Sequence, residues 1–382
     1  MDFSLSEEHK LVKETAARFA DEVLKPQAAE WDRSHQHPNE ACRALGELGF
    51  MGIAVPEAYG GAGMDYVSYV LALSQISRGC ASVGVIMSVN NSLYCFPVFT
   101  FGNEEQKKNF LTPVASGQVE GCFGLTEAGA GSDPAAMRTT AVLDGNQWVI
   151  NGEKKFITNG NVARFAVIAA VTDKEAGYKG ISSFIVDLEN TPGFSVGRVE
   201  DKLGIRASGT AELVFEDARI PKDQLLGQPG DGLKQMLTTL DSGRIGIGAQ
   251  ALGIGRAVLE EAVAYSQERE QFGRPISAFQ AIQWKLADMA AQLEAAEMLL
   301  LKAAWMEDQH VHFEKNAAMA KMYASDAAMA AAIEGVQILG GYGYCTEYPM
   351  ERHMRDAKIT QIYEGTNEIM RLVIARNLLR GK

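Results

Sequence analysis

The sequence predicts an α+β fold that is mainly α: an N-terminal helical domain, a middle antiparallel β-domain and a C-terminal four-helix bundle. Three observations predict it. Helical periodicity dominates both ends of the chain, and strand signals crowd between residues 121 and 226. Strands and helices also do not alternate, which argues against a parallel Rossmann sheet. The boundaries read as 1–119, 120–226 and 227–382. A chain of 382 residues is too long for one simple core, so two or three domains or one large layered unit is expected.

The first helix is predicted to start at Ser4, because Ser4-x-x-Glu7 is a capping-box pattern. Val12, Ala16, Phe19 and Val23 follow at helical spacing, and Pro26 ends the run. A glycine-rich loop over 58–63 precedes a helix over 66–77, and 104–115 reads as a further helix broken near Pro113. The character changes near Gly121. Asp144-Gly145 lies between two β-rich triplets, Thr140-Ala141-Val142 and Trp148-Val149-Ile150, the signature of a hairpin. Runs 165–171, 181–186 and 212–215 are further strands bounded by turn residues. Helices return at Asp231. Leu233, Met236, Leu237 and Leu240 form one apolar stripe, and Ile282, Leu286, Met289 and Leu293 form another. The segment 317–337 is helical by propensity, and Ile369, Leu372 and Val373 mark the apolar face of the last helix.

Composition narrows the function. Hydrophobic residues make up 47% and the net charge is −12, which excludes a disordered chain and a nonspecific nucleic-acid binder. The five cysteines show no C-x-x-C spacing, so a disulfide framework or a zinc site is not expected and a reducing compartment fits. The pairs His35/His37 and His310/His312 read as surface histidines without an acidic or cysteine partner at metal-ligand spacing. The acidic start lacks the apolar stretch of a signal peptide, which predicts a cytoplasmic protein or, alternatively, a mature mitochondrial-matrix form. The longest apolar run, 165–171, is far below a membrane span, so no stable membrane insertion is expected.

Five segments are candidates for chemistry. Gly246-Ile247-Gly248-Ala249-Gln250-Ala251 spells a dinucleotide fingerprint but sits inside a predicted helix with no strand before it, so close helix packing explains it better. The segment 123–133, Phe-Gly-Leu-Thr-Glu-Ala-Gly-Ala-Gly-Ser-Asp, lies at the helix-to-strand changeover. It is either a turn or a loop presenting N–H groups to a ligand. Arg269-Glu270-Gln271-Phe272-Gly273-Arg274 is a charged interhelical loop or a phosphate site. Gln337 to Tyr344 carries three glycines where a plain turn needs one, which suggests close approach of a ligand or backbone. In the fifth, Gln361 to Ile369, Glu364 stands between an aromatic and a glycine. It is a surface acid at a helix start or a base whose pKa apolar neighbours raise.

Together, in this order and at these intervals, the motifs resemble the acyl-CoA dehydrogenase family over essentially the whole chain, nearest its short-chain (butyryl-CoA) branch. The resemblance implies the fold above and FAD as cofactor. It places Phe123, Leu125 and Thr126 along the flavin and acyl-CoA, with Gly131 and Ser132 nearby and Ser132 also touching CoA. Phe156-Ile157-Thr158 is similar to the second flavin-contacting strand, with Phe156 in place of the tryptophan common there. Arg269, Phe272 and Gln280 resemble contacts to FAD from a neighbouring subunit, and Gln337, Gly340 and Gly341 the diphosphate and adenosine site. Thr366, Asn367 and Glu368 would also face FAD, Asp241 and Arg244 would contact CoA and brace the loop, and Gly365 would lie against substrate.

The resemblance makes Glu364 the catalytic base. Some branches carry the base at a position that here is Gly243, which has no side chain. The implied reaction is α,β-dehydrogenation of a short-chain acyl-CoA, straight, branched or alicyclic, with no metal. It further implies electron-transferring flavoprotein as acceptor and a homotetramer, or at least a dimer. Rivals are a same-fold desulfinase, decarboxylase or oxidase, and a non-redox acyl-CoA-binding helical protein. The segment 87–93, expected along the acyl pocket, has no arginine or lysine and disfavours an acidic acyl tail.

Overall fold

A serine opens the first helix, but it is Ser6 rather than Ser4. The Ser6 hydroxyl accepts the His9 N–H at 3.1 Å, and Glu7–Phe19 follows. A computed structural model describes residues 4–381. The run closes near Pro26 through a π-helical turn, Ala20–Leu24. Helices Ala28–Ser34, Asn39–Glu47 and Tyr66–Gly79 come next, the last capped by Asp65 on the Ser68 N–H at 2.7 Å.

Pro113 does not break its helix. Residues 104–115 are helical throughout, with a π-helical stretch Lys107–Leu111 just before the proline. The wider turn changes the register, so proline stands at the start of a new α-segment, where its missing N–H costs least.

The longest apolar segment is also not 165–171. Ala81–Phe101 is long and apolar enough to cross a membrane, yet 83% of it is buried inside the protein. It is a core helix, interrupted by the π-helical stretch Val89–Cys95. Asn90 and Asn91 there bind the backbone of other elements. Asn90 Nδ2 donates to Met51 O at 2.8 Å and Asn91 Oδ1 accepts the Ile53 N–H at 2.8 Å.

The middle of the chain forms one eight-stranded sheet, ordered β6-β7-β3-β2-β4-β5-β8 with β1 beside β4. Its strands are β1 (Gly121–Gly124), β2 (Thr140–Asp144), β3 (Gln147–Thr158), β4 (Phe165–Val171), β5 (Ile181–Asp187), β6 (Phe194–Val199), β7 (Thr210–Pro221) and β8 (Leu225–Leu226). The predicted hairpin pairs Asp144 with Gln147 across Gly145. Most pairings are antiparallel, but β1 and β2 run parallel to β4, so the sheet is mixed. Both strands reach β4 after long excursions, which is how parallel neighbours arise.

Gly232–Glu268, Gln280–Asp308, Glu314–Leu339, Met350–Thr360 and Asn367–Leu379 complete the chain. The small residues of the 246–251 segment serve close packing, since a Cβ at Gly246 would lie 2.6 Å from the Tyr69 hydroxyl. In the last helix Met370 and Val373 face inward, whereas Leu372 is 65% exposed and not part of the buried stripe.

One apolar cluster crosses all three regions. It contains Leu93 and Val98 from the buried helix, Phe123 and Val167 from the sheet with Leu125 just after β1, and Met236, Ile247 and Ile338 from the C-terminal helices. A second feature fixes the loop after β1. Lys154, fully buried on β3, donates to Glu127 Oε1 at 2.7 Å and to Leu125 O at 3.3 Å. Glu127 also accepts the N–H groups of Arg138 and Thr139. Breaking such a pair from one side leaves an uncompensated buried charge. Lys154→Met should therefore destabilise the protein by about 3–5 kcal/mol in urea unfolding. An unchanged unfolding midpoint would show that the pair holds nothing together.

Candidate active site

Glu364 lies in the turn between Met350–Thr360 and Asn367–Leu379, with left-handed backbone at φ 51. Glycine follows it at φ 93. Two consecutive left-handed residues fold the chain sharply, and only the second can be glycine if the first is to carry a carboxylate.

The turn is fastened from both sides. Before Glu364, the Tyr363 hydroxyl donates to Gln250 Oε1 on the long 232–268 helix. After it, Lys321 Nζ donates to Gly365 O at 2.8 Å and to Asn367 Oδ1 at 3.0 Å. Asn367 Nδ2 donates to Asp326 Oδ1 at 2.8 Å and to Ser325 Oγ at 2.9 Å. Thr366 caps the last helix by accepting the Ile369 N–H. These anchors on the 314–339 helix have no motif in the sequence. The only signal was Lys321 standing at an inward position of an otherwise Ala-rich helix.

The carboxylate reaches Gly243. A Cβ built at Gly243 would lie 2.2 Å from Glu364 Oε2 and 2.8 Å from Leu93 Cδ2. The structure therefore brings together the base expected at 364, the side-chain-less position 243 and one residue of the predicted acyl-pocket segment. Glu364 Oε2 is buried without a hydrogen-bond partner. Burial pushes the carboxyl up to about 8, against the pull of Lys321 and Arg244. Lys321 is pushed down to about 7 by burial, with Glu364 opposing. Asp241 and Arg244, which flank Gly243 on the 232–268 helix, form an ion pair, and burial raises Asp241 to about 6.

A cavity of about 600 Å³ lies close by, lined by Tyr66, Tyr69, Asn91, Ser92, Phe96 and Glu307 among others. Tyr69 feels the Glu364 charge, which ties this cavity to the carboxylate. Of the 87–93 segment, only Asn91 and Ser92 line it. Glu307 is raised to about 8 by burial and then by Asp308 and Asp241.

The remaining predicted residues fall into two groups. Thr126 O accepts the Lys155 N–H at 2.8 Å, which sets 123–126 beside 156–158. Phe123 and Leu125 are buried in the cluster that spans the regions, and Thr126 and Thr158 are half-buried. Phe156 has φ 60 and stands 64% exposed, whereas Ile157 points into the core of the sheet. Gly131 and Ser132 are exposed, with open space around Gly131. The second group sits at one end of the helical bundle. The Arg269 guanidinium lies 5.9 Å from the Tyr342 ring, next to Gly340 and Gly341, where a Cβ would meet nothing. Phe272 at φ 55 is 94% exposed, and Gln280 and Gln337 are exposed too. Glu368 is exposed, its carboxyl held below the usual range by its own backbone N–H and the Thr366 hydroxyl.

Comparison with known proteins agrees over the full length. Models of the acyl-CoA dehydrogenase N-terminal, middle and C-terminal domains match residues 6–118, 122–218 and 230–379. The chain is 53% identical over 377 residues to the mitochondrial short-chain specific acyl-CoA dehydrogenase of Bos taurus, covering 99% of this chain and 91% of that one. It superposes on butyryl-CoA dehydrogenase from Megasphaera elsdenii with a TM-score of 0.97 and 46% identity over 100% of both chains. A glutaryl-CoA dehydrogenase from Mycobacterium smegmatis in complex with FADH2 gives a TM-score of 0.93 and 37% identity, covering 99% of this chain and 96% of that one.

Gly243→Ala tests the seat of the carboxylate. The added methyl must displace Glu364, and for a carboxylate acting as the expected base a shift of about 1 Å costs roughly a hundredfold in turnover. Wild-type turnover in a folded Gly243→Ala protein would mean that the contact between 243 and 364 has no role.

Proposed function

The chain belongs to the acyl-CoA dehydrogenase family, and from that membership we propose that it oxidises a short-chain acyl-CoA to the 2-enoyl-CoA, with Glu364 taking the α-proton. The observation that carries the proposal is the Glu364 carboxylate itself: buried, unpartnered at Oε2, raised to about 8 and seated on Gly243.

A thioester α-proton is far too weakly acidic for a carboxylate in water. Two effects narrow the gap. Burial makes the base stronger, because the proton it receives removes a desolvated charge. Charge developing on the thioester oxygen must also be met by aimed donors, and the backbone N–H of Glu364 is one of them. Lys321 holds the turn through Gly365 O, so it positions the base without touching substrate. Arg244 and Lys321 keep Glu364 from rising further, so that it can ionise near neutral pH.

The residues fit an FAD. The backbone of 123–126 and the outward-facing Phe156 and Thr158 offer one flat apolar and hydroxyl-bearing surface, and Gly131 with Ser132 leaves open space beside it. Arg269, Phe272, Gln280, Gln337, Gly340 and Gly341 would hold the diphosphate and adenosine end. When bound, FAD accepts the hydride leaving the substrate Cβ.

The acyl group is neutral in this reading. Asp65, Glu307 and Asp308 line the cavity near Glu364 and no lysine or arginine does, so a carboxylate tail would find no strong cation to pair with. Asp241 and Arg244 are assigned to the CoA moiety and to bracing the turn. Phe272, Tyr344 and Trp284 are 94%, 80% and 63% exposed, and large aromatics on a surface suit burial between subunits. Family membership, with which these aromatics agree, is the ground on which we assign a homotetramer, or at least a dimer, with electron-transferring flavoprotein as acceptor. All five cysteines are free, in keeping with a reducing cytoplasm.

Glu364→Gln should remain yellow and FAD-bound yet lose at least about a thousandfold in turnover. The same variant has a thermodynamic signature. Glu364 sits at about 8 in the folded chain against an ordinary 4.5, so the folded state holds the proton through that window. Wild-type stability then falls as pH rises from 4.5 towards 8, and Glu364→Gln removes that slope. Full activity in the variant would assign the base elsewhere. Arg269→Ala should lower the flavin-to-protein ratio after gel filtration, and an undiminished ratio would remove Arg269 from the cofactor site.

A further inference from the structure

Away from the active site, three metal-ligating side chains meet where the N-terminal helices touch the sheet. His37 stands just before helix Asn39–Glu47, Cys42 lies within it, and Glu120 immediately precedes β1. His37 Nε2 is 2.8 Å from Glu120 Oε1 and 3.9 Å from Cys42 Sγ. One ligand atom from each residue lies within 4.8 Å of the others. The sequence placed His37 on the surface without such partners. Instead its side chain is 8% exposed, that of Glu120 is 13% exposed, and Cys42 is 4% exposed. Glu120 is 83 positions away, beyond the reach of any spacing rule.

The trio is incomplete as a hydrogen-bonded brace. Glu120 Oε2 and His37 Nδ1 are buried without a partner, and a buried carboxylate oxygen that receives no donor is costly. Arg164 lies nearby, but its guanidinium pairs with Asp187 and Glu189. It meets Glu120 only through the backbone, donating its N–H to Glu120 O at 2.9 Å. A cavity of about 460 Å³ opens on both Cys42 and Glu120, with Met51, Asn161 and Arg164 also in its wall.

We propose that His37, Cys42 and Glu120 bind one divalent cation of the zinc class, clamping the N-terminal helices to the start of β1. The donor set is imidazole nitrogen, thiolate sulfur and carboxylate oxygen, which suits zinc or cobalt and not magnesium or calcium. Zinc bonds of about 2.0–2.3 Å in a tetrahedron put donor atoms roughly 3.3–3.7 Å apart, so small side-chain rotations complete the site. The cavity gives the ion a route in and room for a water as fourth ligand. Binding converts the Cys42 thiol to thiolate and releases its proton to solvent. The site takes no part in dehydrogenation and acts on stability.

The test uses FAD-loaded holoenzyme treated with a chelator, dialysed, and titrated with Co²⁺ or Zn²⁺ alone. Co²⁺ should give a thiolate charge-transfer band and tetrahedral ligand-field bands in the red, where oxidised flavin does not absorb. Zn²⁺ should bind one per chain and raise the melting temperature, with turnover unchanged. Cys42→Ser should abolish the charge-transfer band, and Glu120→Gln should weaken Co²⁺ binding by at least about tenfold. If Cys42→Ser fails to fold, His37→Gln reads the same site through the loss of the red bands. Absence of the bands in the wild type overturns the proposal. So does a charge-transfer band that survives Cys42→Ser and disappears with Cys345→Ser, since Cys345 is the exposed thiol.

Discussion

The approach of the Glu364 carboxylate to Gly243 constrains both elements that make it. Any side chain at 243 would occupy the volume that Oε2 now fills, so the long 232–268 helix must be bare at that position. The turn that carries Glu364 must in turn deliver a charged group into a buried space and keep it there. It does so with left-handed backbone at 364 and 365, a tyrosine tied to the long helix, and a lysine of the 314–339 helix that holds the Gly365 carbonyl. The carboxylate gains no hydrogen bond at Oε2 in exchange. Its burial is therefore a standing cost, borne by the packing of the helices around it, and that cost is what makes it a stronger base.

The apolar cluster that crosses the three regions explains why the helices and the sheet keep a fixed relation. Phe123 and Leu125 belong to this cluster together with Leu93, and Tyr363 packs against it. The residues expected along the flavin, the residue beside Gly243 and the residue preceding Glu364 thus share one core. A change in sheet position would be felt at Glu364 without any polar link between them.

Much of this was legible in the sequence because it depends on local signals. Helical stripes, the Asp144-Gly145 hairpin and the three glycines between 340 and 343 each announce themselves within a few residues. Boundaries were less so: Ser6 caps where Ser4 had the pattern, and a π-helical turn let a helix continue through Pro113. Two parallel pairings were hidden because register between distant strands has no local mark. The same holds for the site. The neighbours of Glu364 left it a surface acid or a base, and the choice came from the family resemblance of the whole motif set, whereas Lys321, Ser325 and Asp326 carry no motif until the turn lands on them. His37 and Glu120 are 83 positions apart, so only the fold makes them neighbours.

Lys321 has a further consequence. It is fully buried, and Arg244 is nearly so, although the chain as a whole carries a net charge of −12. Mobile ions screen charges that face water, over about 8–10 Å at ordinary ionic strength, and barely reach charges enclosed by protein. The field around the Glu364 carboxylate is thus insulated from the solution, while the approach of any charged molecule to this acidic surface is not. Salt becomes a way to separate the two: raising it alters arrival at the protein and leaves the surroundings of Glu364 as they were.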